Sequence, residues 1–112
     1  MTSLDYLPAQ MDLRWVQGDD VVFQFKIIGK NYSGATGKAQ VRKKRDRSSE
    51  LITSFTVTVT GSGNDTDIQA YIPSANNTTV GKGYWDLELE DSEGSTRTIL
   101  AGTVEIIPEI TT

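Results

Sequence analysis

The sequence predicts an all-β fold: an antiparallel β-sandwich of about seven strands, with at most one short helical turn. A barrel is the alternative architecture. Apolar and polar residues alternate with a period of two along most of the chain. Gly, Asn and Asp separate the alternating runs at intervals of about ten residues, and no long helical pattern is present. Alternation of this kind is typical of antiparallel strands that are buried on one face only.

Three runs, residues 19–28, 51–60 and 84–90, carry the clearest alternation. Four weaker runs, residues 11–16, 38–44, 67–72 and 95–107, complete the set. We expect Gly102 to mark a bulge or bend in the last of them, because a glycine inside a strand often does so. The side chains predicted to point inward are Val21, Phe23, Phe25, Ile27, Ala39, Val41, Thr53, Phe55, Val57, Val59, Ile68, Ala70, Ile72, Trp85, Leu87 and Leu89.

The one segment compatible with a helical turn runs from Pro73 to Thr79. Ser74 is a suitable capping residue, but Asn and Thr are poor helix formers, so a single turn is expected. The chain divides into an amino-terminal arm at residues 1–10, the sandwich at 11–107 and a carboxyl-terminal tail at 108–112. Both end segments lack periodicity and are expected to order on a partner.

Composition argues against an enzyme and against a bound cofactor or metal ion. The 112 residues include neither His nor Cys, so the usual general base and the commonest transition-metal ligands are missing. The net charge of −4 does not suggest a chain that coats nucleic acid. The sequence has neither an apolar membrane span nor a recognisable signal peptide at residues 1–10, and we expect a product assembled inside a cell.

Acidic residues raise the question of a cation site at two places. Asp19 and Asp20 follow Gly18, but the next residues are apolar and offer no further oxygen ligands. A tight turn into a strand explains them better. The second group shares one strand face and the turn after it, as a wet surface does, and consists of Asp86, Glu88, Glu90, Asp91 and Glu93.

The basic run at residues 42–47 is the strongest local departure from the mean composition. It can bind an acidic protein surface or phosphates, or it can be a solvated loop whose charges discourage edge-to-edge pairing. No aromatic side chain that would stack on a base is interleaved with it, so we do not expect nucleic acid. The exposed tyrosines Tyr71 and Tyr84 are further candidate interface residues. The candidate partner-binding set is Arg42, Lys43, Lys44, Arg45, Arg47, Tyr71 and Tyr84.

Residues 83–87, Gly-Tyr-Trp-Asp-Leu, form the most specific local pattern. In immunoglobulin-like sandwiches a Gly-x-aromatic-x-apolar sequence opens the penultimate strand, and its aromatic residue often bonds back to the backbone of the preceding corner. Trp85 occupies that position and has an indole N–H to donate. The sandwich is therefore expected to be immunoglobulin-like.

Four segments carry a resemblance to a known family: Val16-Gln17-Gly18-Asp19-Asp20, Ala39-Gln40-Val41-Arg42, residues 83–89, and residues 97–104 with the ending Glu109-Ile110-Thr111. Their order and spacing resemble the small β-sandwich domains of tailed bacteriophages. The amino-terminal domain of baseplate upper proteins is one example, and stand-alone versions occur among phage tail genes.

The resemblance implies a virion structural protein, assembled in the host cytoplasm, that acts as an adaptor or docking module in the tail or baseplate. It implies other virion proteins as partners and a homo-oligomeric arrangement in the particle. The family supplies no catalytic residues. A capsid decoration protein is the alternative within this class, because the chain stops after the sandwich where baseplate proteins continue. A carbohydrate-binding module that uses Tyr71 or Tyr84 is the alternative from another class.

Overall fold

The computed structural model describes residues 8–110, and strands make up about 60% of them. This confirms the predicted all-β class. Eight strands follow one another along the chain: β1 (Ala9–Gln10), β2 (Leu13–Val16), β3 (Val21–Ile27), β4 (Thr36–Arg42), β5 (Leu51–Ser62), β6 (Asp65–Ile72), β7 (Gly81–Glu90) and β8 (Thr96–Ile107).

The strands form one curled sheet in the order β1-β8-β7-β4-β5-β6-β3, and β2 also pairs with β8. The curl is produced by β5, which is long enough to serve two neighbours. Residues 51–55 of β5 pair with β4, whereas residues 56–62 pair with β6. We call the part from β1 to residue 55 the first half of the sheet, and the part from residue 56 to β3 the second half.

The two halves face each other across a single hydrophobic core. The ring of Phe23 on β3 lies 5.6 Å from that of Trp85 on β7 and 5.4 Å from that of Phe55 on β5, in edge-to-face arrangements. Leu87 and Ile72 are fully buried between the halves. Each such side chain contributes roughly 1.5–3 kcal/mol of hydrophobic stabilisation. All the side chains predicted to point inward belong to this core or pack against it, except that of Thr53, which donates to the Asn76 carbonyl.

Strand β3 lies at one end of the sheet and pairs with β6 alone. Its four inward side chains, from Val21 to Ile27, are only half-buried, whereas the inward residues of β6 are fully buried. The burial differs because β3 is an edge strand with a neighbouring strand on one side only, so its inward side chains are partly open to solvent.

Strands β1 and β2 run in a direction that the sequence did not predict, and we call their pairing with β8 the parallel seam. Strands β1 and β2 pair with β8 in parallel, although an antiparallel sheet was expected throughout. The chain runs beside β8 in the same direction through both strands. It turns only afterwards, at residues 17–20, to enter β3. The predicted arm overlaps this seam at Ala9 and Gln10, while residues 1–7 and 111–112 lie outside the described residues.

The predicted bulge at Gly102 is wrong, and the irregularity occurs three residues earlier. Leu87 pairs with Leu100 and Glu88 pairs with Thr98, which leaves Ile99 as the extra residue. Gly102 itself stays in register opposite Trp85. A Cβ atom at this position would overlap the Met11 carbonyl, so glycine is required because another backbone approaches closely.

The predicted helical turn is present as a single 3-10 turn at Ser74–Asn76. Ser74 does not cap it. Its backbone N–H donates instead to the Asp20 carboxylate at 2.7 Å, and Pro73 occupies the capping position without a side-chain bond. The turn is therefore held by an acidic side chain from the β2–β3 connection.

Candidate functional site

A groove lies on the outer face of the first half of the sheet. Its floor comes from the outward residues of two paired strands, because β4 and β7 run antiparallel with Gln40 opposite Asp86 and Arg42 opposite Tyr84. Ala101 and Gly102 of β8 leave space beside this floor, since their side chains are small or absent. The cavity measures about 450 Å³, within the size range of ligand sites.

The loop between β4 and β5, residues 43–50, forms one wall of the groove and is held by bonds of its own. The Asp46 carboxylate accepts from both the backbone N–H and the hydroxyl of Ser48, each at 2.9 Å. The Lys44 N–H donates to the Ser49 hydroxyl at 3.0 Å. At the base of the loop, the Arg42 guanidinium donates to the Ser49 carbonyl at 2.7 Å and to the Gln40 side chain at 3.0 Å. The basic run is therefore an ordered wall.

Positive charge is concentrated in this groove although the whole chain is acidic. Five cationic side chains line it against three acidic ones, a local net charge of +2 in a chain whose net charge is −4. None of the three ion pairs found in residues 8–110 uses a groove residue. The groove cations are Lys38, Arg42, Lys44, Arg45 and Arg47, and the acids are Asp46, Asp86 and Glu88.

One arginine of the loop reaches across to the floor. The Arg45 guanidinium lies 4.8 Å from the centre of the Tyr84 ring, in cation–π geometry, and covers the aromatic face. Hydrogen bonds from the Thr103 backbone N–H and from Gln10 hold the pKa of the Asp12 carboxyl below its ordinary value, and the Arg45 charge adds to this. The pKa of Asp46 is lowered mainly by the Ser48 backbone N–H.

The structure brings five of the seven predicted partner-binding residues together in the groove: Arg42, Lys44, Arg45, Arg47 and Tyr84. Lys43 points elsewhere and pairs with Glu50 at 3.0 Å. Tyr71 lies on β6, in the second half of the sheet, where it pairs with Val22 and Thr56. It is half-buried and shares no site with Tyr84.

One carboxylate in each of the two acidic groups that raise the question of a cation site forms hydrogen bonds with the backbone. Asp20 holds the 3-10 turn, and the Asp91 carboxylate accepts the backbone N–H groups of Glu93 and Ser95 in the β7–β8 turn. Gly18 has a φ of 89°, which a tight turn with glycine accommodates. Within residues 8–110, no group of three or more acidic side chains is arranged to hold a metal ion.

Sequence reasoning missed Asn77, whose side chain forms three hydrogen bonds. Its side chain is 2% exposed; it accepts the Trp15 indole N–H at 2.9 Å and donates to the carbonyls of Val16 and Asp19, each at 2.9 Å. Its backbone carbonyl accepts from the Gly18 N–H at 2.8 Å. Asn77 thus joins the β2–β3 turn to the loop before β7 and fixes one end of the sheet.

Trp85 forms the corresponding polar link on the groove side. Its indole N–H donates to the Met11 carbonyl at 2.7 Å, in the connection between β1 and β2. The sequence pattern predicts a bond to the corner preceding the strand, so the donor is as expected and the acceptor is not. Trp85 therefore ties the parallel seam to the core.

Comparison with known proteins gives similarity of fold alone. No family model and no curated protein matches the chain. Among solved structures, a family 123 glycoside hydrolase from Clostridium perfringens superposes with a TM-score of 0.56 at 11% identity, over 93% of this chain and 24% of the hydrolase. The chain thus spans about a quarter of that enzyme.

Two further structures are more distant. A VGSC beta subunit matches with a TM-score of 0.49 at 6% identity, over 99% of this chain and 98% of the subunit. Murine CRIg gives a TM-score of 0.34 at 15% identity, over 91% of this chain and 93% of its own. Across residues 8–110, the structure contains no helix of the length and apolarity that a bilayer crossing requires.

Proposed function

We propose that the curled sheet is an immunoglobulin-like β-sandwich that acts as a structural protein of a phage virion, docking other virion proteins in the tail or baseplate. The sandwich reading is supported by the two halves packing across one core and by β5, which passes from one half to the other. Trp85 lies on the penultimate strand β7, within a Gly-x-aromatic-x-apolar sequence, and this position supports an immunoglobulin-like arrangement.

The observation that carries the docking role is the groove. An acidic domain collects five cations here, two on β4 and three on the ordered loop, and none of them takes part in the ion pairs of residues 8–110. This arrangement suits contact with a partner of opposite charge. Two of the groove cations, Arg42 and Arg45, are held in position by side-chain contacts, which lowers the entropic cost of binding. The assignment to a virion is supported by the sequence resemblance to phage sandwich domains.

Fractionation of phage particles tests whether the protein is part of the virion and whether it lies in the tail. Antiserum raised against the purified chain is used to probe density-banded particles from lysed cultures, before and after heads and tails are separated. We expect the protein in the banded particles and in the tail fraction. Its presence in the head fraction alone would replace the tail assignment with capsid decoration, and its presence only among unassembled cell proteins would contradict a virion role.

A further inference from the structure

We propose that the groove between the loop 43–50 and the β4–β7 floor binds an extended acidic segment of a partner protein. This inference rests on the proposed docking function and specifies the chemistry of the partner. The cavity of about 450 Å³ has the size of a small-ligand site, so it takes a short stretch of chain and not a whole domain.

Carboxylates are the groups that the loop side of the groove recognises. Arg45 and Arg47 are exposed and take part in no ion pair of the described residues. The face of the Arg45 guanidinium lies over the Tyr84 ring, which leaves the N–H groups at its edge for two-pronged bonds to Asp or Glu. Arg42 is already oriented by the Ser49 carbonyl and the Gln40 side chain. A partner carboxylate therefore meets two guanidinium groups, those of Arg42 and Arg45, whose positions are set before binding.

The floor selects a polypeptide over a nucleic acid. Asp86 and Glu88 lie on the floor, where they repel the uniform negative charge of a phosphate backbone. A peptide offers them N–H donors between its acidic side chains. The Tyr84 ring, which would otherwise stack on a base, is covered by Arg45.

The test begins with the purified full chain on an array of short random peptides, at about 150 mM salt so that long-range attraction is screened. We expect the bound peptides to be enriched in Asp and Glu. The best of them is then titrated in solution by fluorescence anisotropy against the wild type and two double variants. Enrichment of neutral or basic peptides would overturn the proposal.

The two variants carry the same change in net charge at different places. R45E/R47E reverses the charges of two loop arginines, whereas K30E/K82E reverses those of two exposed lysines outside the groove, of which Lys30 lies over a tyrosine ring as Arg45 does. We expect R45E/R47E to weaken binding at least about tenfold and K30E/K82E to change it by about twofold or less, because direct pairs survive screening better than distant charges. Equal weakening by both variants would show attraction to net charge alone and would overturn the groove as the site.

A single-stranded DNA oligonucleotide is titrated in parallel. Tighter binding of the oligonucleotide than of any peptide, lost in R45E/R47E, would overturn the peptide proposal in favour of nucleic acid. A failure of the acidic-peptide proposal can be distinguished from a failure of the virion role. A protein that bands with particles yet binds no acidic peptide refutes the groove inference alone, and a protein that binds such peptides yet is absent from particles refutes the virion role alone.

Discussion

Replacing Trp85 by alanine is expected to destabilise the domain by about 3–5 kcal/mol, the range for removing a large aromatic side chain from a core. The ring is 3% exposed and contacts Phe23 from the opposite half of the sheet and Phe55 from the strand that joins the halves. Its loss also leaves the Met11 carbonyl without its indole donor. Because domains of this size are stable by only about 5–15 kcal/mol, the variant should be close to unfolding.

Urea unfolding at neutral pH measures this effect, and two variants separate its parts. Trp85→Phe keeps a ring and removes the N–H, so we expect a smaller loss of about 1–3 kcal/mol, the cost of a buried group left unpaired. Tyr84→Ala alters the neighbouring, outward side chain and should cost less than about 1 kcal/mol. A loss below about 1 kcal/mol for Trp85→Ala would contradict a core that joins the two halves.

Replacing Asn77 by alanine is expected to lower the free energy of unfolding by about 3 kcal/mol, the second large effect. The substitution leaves the Trp15 indole N–H and the Asp19 carbonyl without their partner, and it removes one of two donors to the Val16 carbonyl, which also accepts the Asp19 N–H at 3.2 Å. Each buried group left unsatisfied costs about 1–3 kcal/mol, and water entering the space recovers part of the total.

The free energy of unfolding is compared with that of two further variants. Asn77→Asp preserves the acceptor for Trp15 but places a carboxylate against the two carbonyls, so it should destabilise at least as much as alanine. Asn76→Ala alters the exposed neighbour, which forms hydrogen bonds through its backbone N–H and carbonyl, and should stay within about 0.5 kcal/mol of the wild type. An Asn77→Ala protein as stable as Asn76→Ala would refute the role of this side chain in fixing the end of the sheet.

The strands were predictable because alternation is a local signal. Phe55, Ile68 and Leu87 each occupy an inward position that a period of two identifies without knowledge of the neighbouring strand. The direction of β1 and β2 was not predictable in this way, since a strand pattern is the same for parallel and antiparallel partners. The place of the bulge depends on the register between β7 and β8, which the pattern of either strand alone does not specify.

Neither the groove nor the hydrogen bonds of Asn77 could be predicted from local sequence, because both depend on residues that are far apart in the chain. The basic run is visible in the sequence, but its position above Asp86 follows from the pairing of β4 with β7, whose residues are more than forty apart in the chain. Asn77 lies in a polar loop among similar residues. Its partner Trp15 is 62 residues away, so no local signal distinguishes it from its exposed neighbours.

Photo-cross-linking inside assembled particles tests most directly the claim that this domain docks virion proteins through the groove. A photoreactive residue is placed at Arg47 in the groove wall and, separately, at Thr58 on the outer face of the second half of the sheet. We predict that irradiation of particles joins the Arg47 variant to another virion protein and leaves the Thr58 variant as an uncross-linked chain. Adducts from Thr58 with none from Arg47 would contradict the account.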